Sequence, residues 1–245
     1  MRAEVMTLGT PNPRQREFLA CEKKYVAFGG ARGGGKSWAV RCKAKLLALR
    51  YAGIRILLVR RSLAELEANH LAFLRQELAD VAEYRAGERQ FRFCNGSVLQ
   101  FGYCGCDRDL DRYQGAEYDV IFLDEATQLK EQWMRQIAAC VRGVNDFPKR
   151  IYYTCNPGGP GHGYIKRLFI DRRFEDGEQP EDYAFIPARV TDNTALLARQ
   201  PDYLKTLEAL PYKLRRAWLE GRWDVFAGQV FQEFTDDPDH YDDRR

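Results

Sequence analysis

Residues 30–37 read Gly-Ala-Arg-Gly-Gly-Gly-Lys-Ser, a complete G-x-x-x-x-G-K-[ST] pattern. Gly30, Gly33, Gly34 and Gly35 allow a backbone to close tightly and turn several N–H groups toward one point. Ala31 completes the turn. Lys36 then brings a cation to the β- and γ-phosphates of a nucleotide, and Ser37 a hydroxyl to Mg²⁺. Arg32, inside the same loop, can neutralise charge that develops on a transferring phosphoryl group. Tyr25-Val26-Ala27-Phe28 ahead of the loop reads as a strand, and Trp38 to Arg50 behind it as a helix. A strand–glycine loop–helix unit aims a helix N-terminus at the loop, which makes a site for polyphosphate.

Val120-Ile121-Phe122-Leu123 is followed by Asp124-Glu125. Four consecutive apolar residues fit a parallel strand buried on both faces. Its C-terminal end is the edge at which open α/β sheets bind ligands. Asp124 is expected to hold Mg²⁺ through water, and Glu125 to orient and deprotonate an attacking water. Asn156 follows the strand-like run Ile151-Tyr152-Tyr153-Thr154. It reads equally as a hydrogen-bonding sensor of the γ-phosphate and as the start of an Asn-Pro-Gly turn. Gln15 lies just ahead of the first strand, where it can pair with adenine or remain an ordinary surface residue. Arg112 sits twelve residues before Asp124. It reads as a second guanidinium for the phosphates, from the same or a neighbouring subunit, or as a surface salt-bridge residue.

These groups need a scaffold. Pro11 and Pro13 predict a loose arm over 1–13, and Arg14 to Glu22 a short helix. Ile54 to Val59 is β-branched and leucine-rich, as a strand requires. Leu66, Leu71, Leu74 and Leu78 recur near helical spacing over 64–81. Asn95-Gly96 between Phe91–Phe93 and Ser97–Tyr103 is a hairpin signal. Lys130 to Val141 reads as a helix and Tyr183 to Ile186 as a late strand. Leu204, Leu207, Leu214 and Trp218 suggest two short helices joined at Pro211. Alternating strands and helices predict an α/β fold with a mainly parallel central sheet flanked by helices. The division expected is an ATPase core over 14–200, a helical lid over 201–227, and a charge-rich tail over 228–245.

The chain has 245 residues and a formal net charge of +3 from 38 basic and 35 acidic side chains. This balance neither demands nor excludes a nucleic-acid partner, because a local basic face would vanish in the total. Basic pairs such as Arg60-Arg61 or Lys166-Arg167 could contribute to such a face, or be ordinary solvated surface. No apolar run approaches a membrane span and the N-terminus lacks a signal peptide's apolar core, so a soluble, intracellular protein is expected. The seven cysteines are scattered. Cys94, Cys104 and Cys106 lack the paired spacing of a zinc site, so reduced structural thiols are expected.

Together these motifs resemble the ATPase domain of the large terminase subunit of tailed bacteriophages. The matching segments are Pro13 to Phe18, the loop with Gly29 before it, Arg112-Tyr113-Gln114-Gly115, Asp124-Glu125-Ala126, Thr154-Cys155-Asn156-Pro157 and Leu219 to Asp224. The resemblance implies a P-loop NTPase fold with a small C-terminal helical lid subdomain, and ATP and Mg²⁺ as cofactors. It implies double-stranded DNA, a capsid portal and a small terminase subunit as partners, a homo-oligomeric ring, and work in the host cytoplasm. Asn156 would then couple loss of the γ-phosphate to movement of the lid. The family usually continues into a nuclease domain. Gly228-Gln229-Val230-Phe231 resembles its beginning, and no nuclease activity is expected of these 245 residues. The alternatives are another nucleic-acid-translocating ATPase of helicase type, or a nucleotide-gated assembly module with little turnover.

Overall fold

In the computed structural model, residues 9–226 are described. The expected tail and the Gly228–Phe231 segment lie outside them, as does most of the N-terminal arm. Helix α1 (Pro13–Ala20) starts at Asn12, whose carboxamide accepts from the Gln15 N–H while the Gln15 side chain accepts from the Asn12 N–H. This reciprocal cap, with Pro13 in the first turn, sets where the helix begins. Strand β1 (Tyr25–Gly30) and helix α2 (Lys36–Arg50) enclose the glycine loop. Strand β2 (Arg55–Arg60) leads into a helical run made of α3 (Leu63–Leu66), a π turn (Glu67–Leu71) and α4 (Ala72–Glu77).

The strands β3 (Ala82–Arg85), β4 (Gln90–Phe93) and β5 (Val98–Tyr103) follow as an antiparallel meander. The turn at Asn95-Gly96 is the predicted hairpin, with Gly96 at φ +82°. The helical run stops at Glu77, short of the expected residue 81, and β3 lies just beyond it in a stretch with no strand signal. After β6 (Val120–Leu123) come α5 (Glu131–Ala138), β7 (Arg150–Cys155), α6 (His162–Ile165) and β8 (Tyr183–Ala188). Helices α7 (Thr194–Arg199), α8 (Tyr203–Glu208) and α9 (Tyr212–Trp218) end the described chain, the last two joined through Pro211 as expected.

The strands form one sheet in the order β3-β4-β5-β2-β6-β7-β1-β8, parallel from β5 through β8. Side chains alternate across it, as a pleated strand must place them. Val26, Phe28, Ile56, Leu58, Phe122 and Tyr152 pack under α1, α2 and the α3–α4 run. Ala27, Leu57, Val59, Ile121, Leu123 and Tyr153 pack under α5 and α6. Both faces are covered, which is why the parallel strands read as uninterrupted apolar runs. None of the seven cysteines is in a disulfide. Among the described residues no helix is long and apolar enough to cross a membrane.

Two contacts fix α1, and with it the flank of the glycine loop. Phe18 is fully buried, stacked on Phe28 at 4.8 Å between ring centroids and edge-on to Tyr152 at 5.5 Å. Lys43 of α2 donates to the carbonyls of Leu19 (2.5 Å) and Cys21 (3.3 Å), which closes the C-terminal end of α1. Burial, helped by the neighbouring Arg150 charge, lowers the Lys43 ammonium to about 8. Phe18→Ala is therefore expected to cost about 3–5 kcal/mol, read by urea unfolding. Because the folded pKa of Lys43 lies below its unfolded value of 10.5, the unfolded chain binds more protons between the two. Wild-type stability should accordingly rise, relative to Lys43→Met, as pH increases from about 8 to 10.5. Unfolding midpoints of the two proteins that run parallel across this range would contradict the assignment.

Candidate functional site

The C-terminal ends of the parallel strands carry the site, and sheet register decides which residues meet there. Val59 pairs with Leu123, and Leu123 with Tyr153. One residue further along, Arg60, Asp124 and Thr154 therefore stand side by side on β2, β6 and β7. Gly29 pairs with Cys155, so the loop departs from β1 level with Asn156.

The loop itself is held from three sides. Ala31 N–H donates to the Ala188 carbonyl and Arg32 N–H to the Trp218 carbonyl, each at 2.8 Å. The Asn193 amide donates to Gly33 O (2.7 Å), and Gln15 Nε2 to Gly35 O (3.1 Å). Gly33 and Gly35 both have φ +77°, a left-handed conformation in which a Cβ is strained. A side chain at Gly33 would also press on the Tyr203 ring, and one at Gly35 on Gln15 Nε2. Gln15 is thus buried rather than on the surface, a strut between α1 and the loop.

Lys36, the first residue of α2, is almost fully buried. Its ammonium donates to Ala31 O (2.5 Å) and Asn156 Oδ1 (2.8 Å). Burial pushes it below the ordinary lysine value, against the pull of Cys155, Glu125 and Asp124. An anion brought to this position would favour the charged form. Asn156 reaches Lys36 directly, and its backbone carbonyl accepts from Thr127 Oγ1 at 2.8 Å.

Asp124 is 1% exposed. Its Oδ1 accepts from Thr154 Oγ1 (2.5 Å), and its Oδ2 lies 2.7 Å from both His70 Nε2 and Arg60 Nε. The Arg60 Nε–H is not aligned on the carboxylate, so that contact is a close ion pair rather than a directed hydrogen bond. Burial alone would raise the Asp124 carboxyl. His70, Arg60 and Thr154 overcome it and hold the group below the usual carboxylate range.

Glu125 has φ +52° and ψ +48°, a left-handed backbone that non-glycine residues adopt at a cost. Its N–H donates to Thr154 Oγ1 (2.8 Å), so one hydroxyl accepts from Glu125 and donates to Asp124. Its carboxylate reaches out of the protein and meets Arg60 at 3.0 Å.

A cleft of about 390 Å³ opens over this arrangement, lined by the loop from Arg32 to Trp38 together with Glu125, Asn156 and Tyr203. A second cleft of about 180 Å³ shares Arg32, Glu125 and Asn156 and continues past Gly158 to Trp218. The Arg32 guanidinium lies 3.3 Å over the Trp218 ring. Arg112 lines neither cleft. It sits on the 3-10 turn Asp107–Tyr113, paired with Asp109 at 2.9 Å and stacked over Tyr103.

The residues singled out from spelling alone thus converge, except Arg112. Those missed were His70, the hydroxyl of Thr154 as a bridge, Tyr203 and Trp218. The basic pairs fare differently from the expectation, although Arg61 stays exposed. Arg60 is 3% exposed and committed to Asp124 and Glu125, so it is not a surface contact for nucleic acid. Lys166 pairs with Asp171 at 2.6 Å and Arg167 with Glu178 at 2.8 Å, which neutralises the second pair.

A family model described as the N-terminal part of the T4-like-virus type of terminase large subunit matches residues 27–235. The structure is similar to the large terminase of a thermophilic bacteriophage in complex with ADP, with TM-score 0.70 and 16% identity over 86% of this chain and 53% of that one. It is also similar to the large terminase ATPase domain of Thermus phage P74-26, with TM-score 0.62 and 15% identity over 87% and 94%. The HK97 bacteriophage large terminase gives TM-score 0.54 and 12% identity over 79% and 44%. A search of curated protein sequences found no match. The chain spans about half the length of the first of these terminases. With the sheet order, the phosphate loop and the acidic strand tip in place, and the family match covering most of its length, this chain belongs to the T4-like family of terminase large subunits.

Proposed function

We propose that this chain hydrolyses ATP at the cleft over residues 32–38 and uses the energy to drive double-stranded DNA into a procapsid. The observation that carries the reading is the meeting of Lys36, Asn156, Glu125 and Arg32 around one opening at the strand ends. The unpaired N–H groups at the start of α2 and the Lys36 ammonium receive the triphosphate. For Gln15 to pair with adenine from α1, its amide would have to leave Asn12 N–H and Gly35 O. Glu125, the exposed member of the acidic pair, orients the attacking water and takes its proton. Arg32 moves from Trp218 to the charge that builds on the γ-phosphate, and Asn156 reports the loss of that group to α8 and α9, which act as a lid.

Ser37 and Asp124 would hold Mg²⁺. The donors are oxygens, and among the described residues no group of three acidic, His or Cys side chains forms a protein cage. That suits an ion that keeps several waters and takes other ligands from phosphate. When bound, Mg²⁺ would neutralise charge on the β- and γ-phosphates.

Arg112 completes the reading as a contribution to the neighbouring subunit's site in a ring. A capsid portal and a small terminase subunit complete the motor, in the cytoplasm of the infected host. DNA is held through its phosphates, so binding is insensitive to sequence and weakens steeply with salt.

Glu125→Gln is expected to lower kcat for ATP by about 100-fold or more while nucleotide affinity stays within about threefold. Lys36→Ala should instead abolish nucleotide binding, measured by fluorescence titration. Equal turnover in wild type and Glu125→Gln, with procapsids and DNA present, would remove Glu125 from the catalytic role.

A further inference from the structure

His70 is fully buried, on the apolar side of the α3–α4 helical run. Its neighbours in sequence and space are Leu66, Leu71 and Leu74, all core residues. An imidazole among them is costly to bury unless a polar group answers it. Its Nε2 meets Asp124 Oδ2 at 2.7 Å, while its Nδ1 has no hydrogen-bond partner among the described residues. An ionised carboxylate only accepts, so the Nε2 carries the hydrogen and donates it.

The backbone is shaped for this contact. The π turn Glu67–Leu71 is closed by the bond from Ala72 N–H to Glu67 O, one residue longer than an α-helical bond. The core leucines show the same surplus: Leu66 and Leu71 are five apart, whereas Leu74 and Leu78 are four apart. The extra residue lets both His70 and Leu71 point inward, where a regular helix would turn one of them away.

The other two contacts of Asp124 are shared. Arg60 also holds Glu125, and Thr154 also accepts from the Glu125 N–H. Both are tied to the residue that must rearrange around substrate. Among the described residues His70 has no second hydrogen-bond partner, so its hold on Asp124 does not depend on Glu125.

We infer that His70 is a positioning residue for Asp124. It fixes the carboxylate in the plane and rotamer needed to bind a divalent cation beside the nucleotide, and the π turn is the device that aims it. The inference rests on the reading of Asp124 as the carboxylate on the metal side of the site.

The test is Mn²⁺ binding to the protein–ATPγS complex, followed by electron paramagnetic resonance, in wild type, His70→Leu, His70→Gln and Asp124→Asn. Binding of a fluorescent nucleotide in EDTA and thermal unfolding are measured in parallel. His70→Leu should weaken Mn²⁺ binding by about 10- to 100-fold, the usual effect of removing a group that orients a metal ligand. Metal-free nucleotide binding should stay within about threefold of wild type. His70→Gln, whose amide nitrogen reaches as far as imidazole Nε2, should recover most of the Mn²⁺ affinity. If His70→Leu does not fold, His70→Asn replaces it, since its shorter amide cannot reach Asp124. Loss in Asp124→Asn with none in His70→Leu would overturn the His70 assignment alone, leaving His70 a packing residue. Loss in neither variant would overturn the metal reading of Asp124, and the His70 assignment with it.

Discussion

A carboxylate sealed from water at the end of a parallel strand can stay ionised only if the fold surrounds it with donors and cations. Asp124 is in that position, and the rest of the site is arranged around meeting its demand. The strand on one side supplies Arg60, the strand on the other supplies Thr154, and a helix lying over the sheet supplies His70. A bare carboxylate transferred to such surroundings would simply take up a proton. Three contacts reverse that outcome, and each comes from an element remote in sequence. The sheet must therefore form in one register before the site exists. A slip of a single residue would turn these side chains to the opposite face.

The same arrangement places Glu125. The left-handed backbone at this residue turns the chain sharply out of β6, so adjacent acidic residues have opposite fates. Asp124 is enclosed, and Glu125 stands with its side chain about two-fifths exposed at the rim of the cleft. One is suited to fixed charge and the other to exchange with solvent. The Thr154 hydroxyl, engaged by both residues, keeps the strained turn and the buried carboxylate in a fixed relation.

How much of this was legible in the sequence follows from how local each feature is. The glycine loop, its flanking strand and helix, and the apolar run before Asp124 are contiguous, and their geometry is set within a dozen residues. They read correctly. Asn156 was open between a turn residue and a phosphate sensor, and its contact with Lys36 became visible only when β7 was laid beside β1. Arg60 looked like half of a solvated basic pair because nothing in its neighbourhood names its partner 64 residues on. That separation is crossed by register alone. His70 carries no signal of its own within the helical run, although the five-residue interval from Leu66 to Leu71 is a readable trace of the π turn. The strand β3 is short and half-exposed, with little apolar pattern, so nothing in residues 82–85 marks it as a strand.

The loop also has a limited set of amide hydrogens. Those of Ala31 and Arg32 are already committed, one to the edge strand β8 and one to the carbonyl at the end of α9. Recognition of an anion would then fall to the five N–H groups from Gly33 to Ser37, which run into the first turn of α2. The first half of the loop works as a hinge pin joining sheet to terminal helix, and only its second half as a receptor. A swing of α9 large enough to free the Arg32 amide would remove one of the loop's anchors, so the pose of the last helix bears on the shape of the receptor.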